Sequence, residues 1–203
     1  MKRILTSAAL AATTVMLAAP AFAAGYTTGD TVANASVIDS NGVTHNLEDF
    51  AGKTVVLEWT NDGCPYVKKH YTTDNMQSLQ REAAADDVVW LSVISSAPGK
   101  QGHVDGAGAN ALTTDRGAEP AAVILDESGD AGRMFAAKTT PHMYIIDADQ
   151  TLVYQGAIDD NPSSNPATVE SATNYVRKAL MEVRSGATVT DATTKPYGCS
   201  VKY

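Results

Sequence analysis

The stretch EWTNDGCPYVKKHY, residues 58–71, holds one of the chain's two cysteines. Cys64 follows an apolar run and precedes Pro65, and proline suits the first position of a helix. The thiol therefore falls at a helix N-terminus, where free backbone N–H groups and the positive end of the dipole favour an anion. The thiolate is the nucleophilic form of cysteine, so Cys64 reads as a reactive thiol. Lys68 and Lys69 would add positive charge nearby, and the preceding Gly63 suggests an accessible sulfur. The alternatives are a buried structural cysteine or half of a plain disulfide. The other cysteine, Cys199, stands 135 residues later in KPYGCSVKY at the end of the chain. One role for it is to resolve a mixed disulfide or sulfenic acid formed at Cys64. Another is a structural bridge pinning the tail; closing so long a loop would contribute about 4–5 kcal/mol in the chain-entropy picture. A third is that the two never meet, because the pairing of distant cysteines does not follow from sequence.

The elements that must position these residues can be read from periodicity. Residues 34–53 carry apolar and polar stretches around the turn signal Ser40-Asn41-Gly42, which predicts a β-hairpin. TVVLEWT (54–60), VVWLSVIS (88–95) and AAVILD (121–126) are short continuous apolar runs, as expected of buried strands. YVKKHY gives one or two helical turns. A second helix restarts after it, with Asp74 and Gln77 spaced as a capping box and Met76, Leu79 and Ala83 on one face. The glycine-rich run 96–110 is too polar for a core and reads as a long loop, of a kind that is usually functional or mobile. A short helix is expected over 109–118 and another from Asp130. PHMYIIDADQTLVYQGAID is a strand, a turn at Ala148–Gln150 and a strand. The segment 166–186 reads as the best helix, with Val169, Ala172, Val176, Leu180 and Val183 on one face and Gly186 as its stop. Residues 186–203 are left as a tail. The order implies an α/β domain, its sheet covered on both faces, with parallel strands first and an antiparallel pair last.

The first 23 residues show a basic start at Lys2 and Arg3, an apolar run from Ile4 to Ala19, and small residues at Ala21–Ala23. That is the layout of a secretory signal peptide. The expected organisation is thus a signal over 1–23, a domain over 28–185 and a Cys199-bearing tail over 186–203, exported to the periplasm or secreted, with no stable membrane anchor after cleavage. The full chain has a net charge of −8, and removing the signal leaves 13 basic against 23 acidic residues. This disfavours nucleic acid and anionic membrane surfaces as partners. Roughly 180 residues suffice for one domain with a proper core, so a small disulfide scaffold is excluded. The histidines, His45, His70, His103 and His142, show no ligand spacing and default to solvated side chains, so no metal is expected. DGAGAN lacks the Gly-Lys-Ser/Thr of a phosphate loop, and no cofactor is expected.

Together, GCPYVKKHY (63–71), SSAPGKQG (95–102), TTPHMYIID (139–147) and GAIDD (156–160) resemble the redoxin branch of the thioredoxin-like proteins. These are the peroxiredoxin-like and alkyl-hydroperoxide-reductase-like proteins of exported bacterial compartments. The resemblance covers about residues 28–185 and implies a thioredoxin-like fold. It further implies that Thr140–Pro141 is a cis bond beside Cys64, where an extended substrate would pair; an ordinary trans proline at a strand entry is the alternative. Glu58 takes the place of a buried acid that relays a proton, against an exposed acid on the other strand face. If it is buried and unpaired its pKa should rise, fitting it for base work. Arg116 and Arg133 are equal candidates for an arginine that stabilises peroxide. The chain departs from both complete motifs of the branch. Val67 stands where a second cysteine would complete Cys-x-x-Cys, and Asn61 where a peroxidase threonine would stand, with no matching proline. Copper chaperones of this fold carry Cys-x-x-x-Cys, which is absent.

The resemblance and the placement of Cys64 lead to a thiol-dependent oxidoreductase that reduces a peroxide or a disulfide through Cys64, with Cys199 or an external thiol donor resolving the product. The competing expectation is a non-catalytic exported module in which Cys64 and Cys199 form a permanent disulfide.

Overall fold

The computed structural model describes residues 25–32 and 35–203. The expected signal peptide lies outside them. Among the described residues no helix is long and apolar enough to cross a membrane.

A hairpin of β1 (Ser36–Ile38) and β2 (Thr44–Asn46) precedes the main sheet. The main sheet has five strands: β3 (Val55–Trp59), β4 (Val89–Ile94), β5 (Ala122–Leu125), β7 (His142–Ile146) and β8 (Leu152–Gly156). Their spatial order is β5-β4-β3-β7-β8. β3, β4 and β5 are parallel, whereas β7 and β8 run antiparallel. The central strands are buried on both faces, which is why they read as unbroken apolar runs rather than alternating ones. In β3, Val55, Leu57 and Trp59 pack into one core with Leu91, Tyr144 and Ile146. Val56 points the other way, into a core with Val67, Met76, Trp90 and Ile145.

Helices α1 (Pro65–Thr72), α2 (Asn75–Ala85) and α5 (Tyr175–Arg184) cover the Val56 side. The short α4 (Asp130–Met134) packs on the other. α3 (Gly106–Asp115) seats Ala109 on Ile94 and Val123. The fold is thioredoxin-like, as the resemblance implied, with a central mixed sheet and helices on both faces.

Three local expectations need correction. The α2 capping box does not form: Asp74 is left-handed and its carboxylate is held 2.6 Å from Arg81 Nη2, while Gln77 donates to the Tyr71 and Arg116 carbonyls. The glycine-rich run is a loop only over 96–105, because Asp105 accepts from the Gly108 amide and starts α3 at Gly106. The last helix begins at Tyr175 rather than Pro166, capped by Asn174. Before it, Pro166–Thr168 makes only a short 3-10 turn, and the following residues are drawn away from the helix: Asp160 N–H donates to the Thr173 carbonyl and Thr173 N–H to the Asp160 carboxylate.

The tail is part of the domain. Val189 is buried, and the Gln155 and Thr194 amides donate to the Ala192 and Gln155 carbonyls alongside β8. The tail's last strand, β9 (Cys199–Ser200), pairs antiparallel with β6 (Thr139–Thr140).

Candidate functional site

Cys64 caps α1 with extended backbone (φ −87°, ψ 122°), and Pro65 is the first helical residue. The loop before it is clamped. Asn61 Oδ1 accepts from the Gly63 amide at 2.8 Å, and Asn61 Nδ2 donates to the Gln101 carbonyl at 3.0 Å. Gln101 Nε2 returns a bond to the Gly63 carbonyl at 3.1 Å. The loop 96–105 therefore fixes the approach to Cys64.

The sulfur is not accessible as its position suggested: Cys64 is 0% exposed. Its thiol donates to the Thr140 carbonyl at 3.1 Å. The Thr140–Pro141 bond is cis. In the β6–β9 pair Cys199 lies opposite Thr140, the residue whose carbonyl accepts from Cys64, which sets Cys199 beside Cys64. Both thiols are free. Burial pushes the Cys64 pKa up, but the Cys199 thiol and amide, the Val67 amide and the Thr140 hydroxyl together outweigh it and leave Cys64 below its ordinary value. The buried Thr140 hydroxyl has no hydrogen-bond partner, so its proton is free for a sulfur anion. Burial and the neighbouring Cys64 push Cys199 up to about 11. The pair is thus asymmetric, with Cys64 the more acidic thiol.

Glu58 is fully buried on the Val56 face. It is not unpaired. Tyr71 Oη donates at 2.8 Å, Trp90 Nε1 and Ser92 Oγ each at 2.9 Å, and Gln80 Nε2 at 3.3 Å. Burial raises its pKa against these donors. A carboxyl held by four donors is anchored, and it ties β3 to β4, α1 and α2.

Lys69 does not face the sulfur. Its ammonium is buried 3.2 Å from Asp159 Oδ2 and donates to the Asn161 carbonyl at 2.9 Å and Tyr197 Oη at 3.3 Å. Tyr197 Oη donates to Asp159 Oδ1 and lies 3.2 Å from His70 Nε2. Burial pushes His70 down to about 4, so it is neutral near pH 7. Lys69, His70, Asp159 and Tyr197 thus form a polar knot two residues before Cys199. The Lys-Lys-His of α1 and the acids of GAIDD were visible in the sequence, but nothing local linked them to a tyrosine in the tail.

Both candidate arginines are engaged by other side chains. Arg116 pairs with Asp62 at 2.9 Å and stacks on Tyr71, while Arg133 lies over Tyr203. Two histidines expected in solvent are buried, His70 and His142. The latter sits 2.9 Å from Tyr144 Oη. His45 pairs with Asp39 and His103 with Glu127.

A family profile described as Redoxin matches residues 27–175. Solved structures share the fold. An uncharacterized conserved protein from Geobacillus kaustophilus is 24% identical, covering 87% of this chain and 92% of its own, with a TM-score of 0.74. A hypothetical protein from Sinorhizobium meliloti is 20% identical over 88% and 96% of the two chains, also at 0.74. A putative thiol:disulfide interchange protein from Chlorobium tepidum is 20% identical over 64% and 84%, at 0.52. No curated protein matches the chain.

Proposed function

The chain belongs to the Redoxin family, and on that premise we propose that it is an exported thiol–disulfide oxidoreductase in which Cys64 is the nucleophile and Cys199 the resolving thiol. The observation that carries this is the β6–β9 pair, which sets free Cys199 opposite Thr140, the residue whose carbonyl accepts from the free Cys64 thiol.

In the first step the Cys64 thiolate attacks one sulfur of a substrate disulfide. A Cys64–substrate disulfide forms and the other half leaves as a thiolate. The amides of Val67 and Cys199 and the Thr140 hydroxyl stabilise the Cys64 anion before attack. Once Cys64 is covalently bound its charge is gone, and with it the Cys64 contributions that raise the Cys199 pKa. Cys199 then loses its proton more readily and attacks the Cys64 sulfur, expelling the second substrate thiolate and leaving a Cys64–Cys199 disulfide. The two protein thiols have supplied two electrons, and an external thiol donor must restore them. Thr140 and Pro141 line the approach, and Glu58 holds the sheet and helices that carry Cys64 rather than touching the sulfur. Export rests on the signal pattern over residues 1–23, leaving the domain and its tail as the working form.

Disulfide exchange is favoured over peroxide reduction because Cys199 is set beside Cys64, while Arg116 is paired with Asp62 and Arg133 lies over Tyr203. Stopped-flow mixing of reduced protein with a small disulfide and, separately, with hydrogen peroxide tests this. Consumption of the disulfide, abolished by Cys64→Ser, is expected. Rapid consumption of peroxide with no disulfide turnover would place the protein among peroxidases. Inertness to both would favour a module with a structural bridge.

A further inference from the structure

An exposed strand edge recruits an extended chain through main-chain hydrogen bonds. The edge of β6 beside Cys64 is already filled, by the chain's own β9. The segment is fastened on both sides. Before it, Tyr197 is sunk into the Lys69–Asp159–His70 knot. After it, the Val201 amide donates to the Lys138 carbonyl at 3.1 Å and the Ala97 amide to the Lys202 carbonyl at 2.9 Å. Tyr203 Oη donates to the Ala137 carbonyl at 2.8 Å, and Arg133 lies over its ring. Between the fastenings, Gly198 has φ +132°, and a Cβ there would meet the Thr140 oxygen at 2.1 Å. Only glycine lets the strap lie this close to β6. Under it, Cys64 has no exposed surface.

We infer that residues 197–203 form a strap that selects substrates by size. Seated, it occupies the β6 edge and withholds Cys64 from polypeptide disulfides. A polypeptide reaches the sulfur only by displacing the strap, whereas a small disulfide needs only a local opening beside Cys199. The inference rests on the disulfide-exchange role proposed above and adds the substrate class and the residues that set it. Tyr197, Gly198 and Tyr203 are positioning residues: they act through where the strap lies. The chemistry is unchanged, with the two thiols of Cys64 and Cys199 reducing one substrate disulfide to two thiols.

The test uses reduced full-length protein in three forms: wild type, Gly198→Ala and Tyr203→Ala. Both variants keep the two cysteines and the buried knot, and Tyr203→Ala alters only the far end of the strap. One readout is the rate of Cys64 alkylation by iodoacetamide, followed by peptide mass. The other is the single-turnover loss of thiols with hydroxyethyl disulfide and with insulin. Loosening a strained, locally fastened segment should raise Cys64 alkylation about tenfold in Gly198→Ala and several-fold in Tyr203→Ala. The insulin-to-small-disulfide rate ratio should rise in both. A merely structural role would move both substrates together, so an unchanged ratio, or unchanged alkylation in both variants, overturns the inference. Faster alkylation with no disulfide consumed by any form would keep the cover over Cys64 and instead overturn the disulfide-exchange role.

Discussion

Replacing Asp159 by Asn removes one charge from the pair it forms with Lys69. Both side chains are almost completely buried, at 0% exposure for Lys69 and 2% for Asp159. Lys69 Nζ would keep the Asn161 carbonyl at 2.9 Å and Tyr197 Oη at 3.3 Å, both neutral. An ammonium left without its counter-ion in such a place typically costs about 3–5 kcal/mol. For a domain of this size each kcal/mol corresponds to about 2–4 °C, so the melting temperature should fall by roughly 6–20 °C. Lys69→Met alone should also destabilise, by stranding the Asp159 carboxylate. The double variant Lys69→Met/Asp159→Asn should be more stable than the two single losses sum to, because no buried charge is left alone. Urea denaturation of the reduced protein measures all four corners of the cycle. A loss below about 1 kcal/mol for Asp159→Asn would refute the account of Lys69 as a buried ion held by Asp159, as would strict additivity in the cycle.

The same geometry predicts other outcomes. Burial raises the Glu58 pKa, so its protonated form is favoured by folding and that stability is lost as pH rises from the ordinary carboxylate range through the folded-state pKa. Denaturant midpoints against pH should fall across that window in wild type relative to Glu58→Gln; parallel curves would mean Glu58 does not titrate as stated. His70 and His142 are pushed down to about 4 and about 3 by burial, so each contributes stability present above about pH 6.5 and lost as pH falls through those values. His70→Asn should flatten part of that acid-side decline, and an unchanged slope would contradict it. Iodoacetamide labelling against pH should show Cys64 titrating below Cys199, which burial and the neighbouring Cys64 push up to about 11; the reverse order would remove the basis for assigning Cys64 as the nucleophile.

Sequence carried much of the frame. Strands buried on both faces leave continuous apolar runs, so β3, β4 and β5 stood out without any contact known. Pro65 marked the start of α1 and so the place of Cys64 at its cap. Burial of Cys64 was not legible, because what covers it is a segment 135 residues away. Nor was the path of the strap, whose fastenings are polar and non-local: a hydroxyl in an ionic knot and main-chain bonds to separate loops leave no periodic trace. Competition between capping and tertiary contacts misled at the helix ends. Asp74 was drawn to Arg81, and the segment before Tyr175 was drawn to Asp160. Burial of Glu58 was one of two readings open to strand alternation, and the four donors that hold it come from neighbouring elements that only the folded chain brings together.

The pairing of Cys64 with Cys199 is tested most directly by trapping the intermediate. Reduced wild type and Cys199→Ser are each mixed with one equivalent of a small disulfide, quenched with acid at intervals and mapped by mass spectrometry under non-reducing conditions. Wild type should pass through little mixed disulfide and end as a monomer with an intramolecular Cys64–Cys199 bond, whereas Cys199→Ser should accumulate the mixed disulfide at Cys64. A mixed disulfide that persists at Cys64 in wild type, or one that forms first at Cys199, would contradict the assignment.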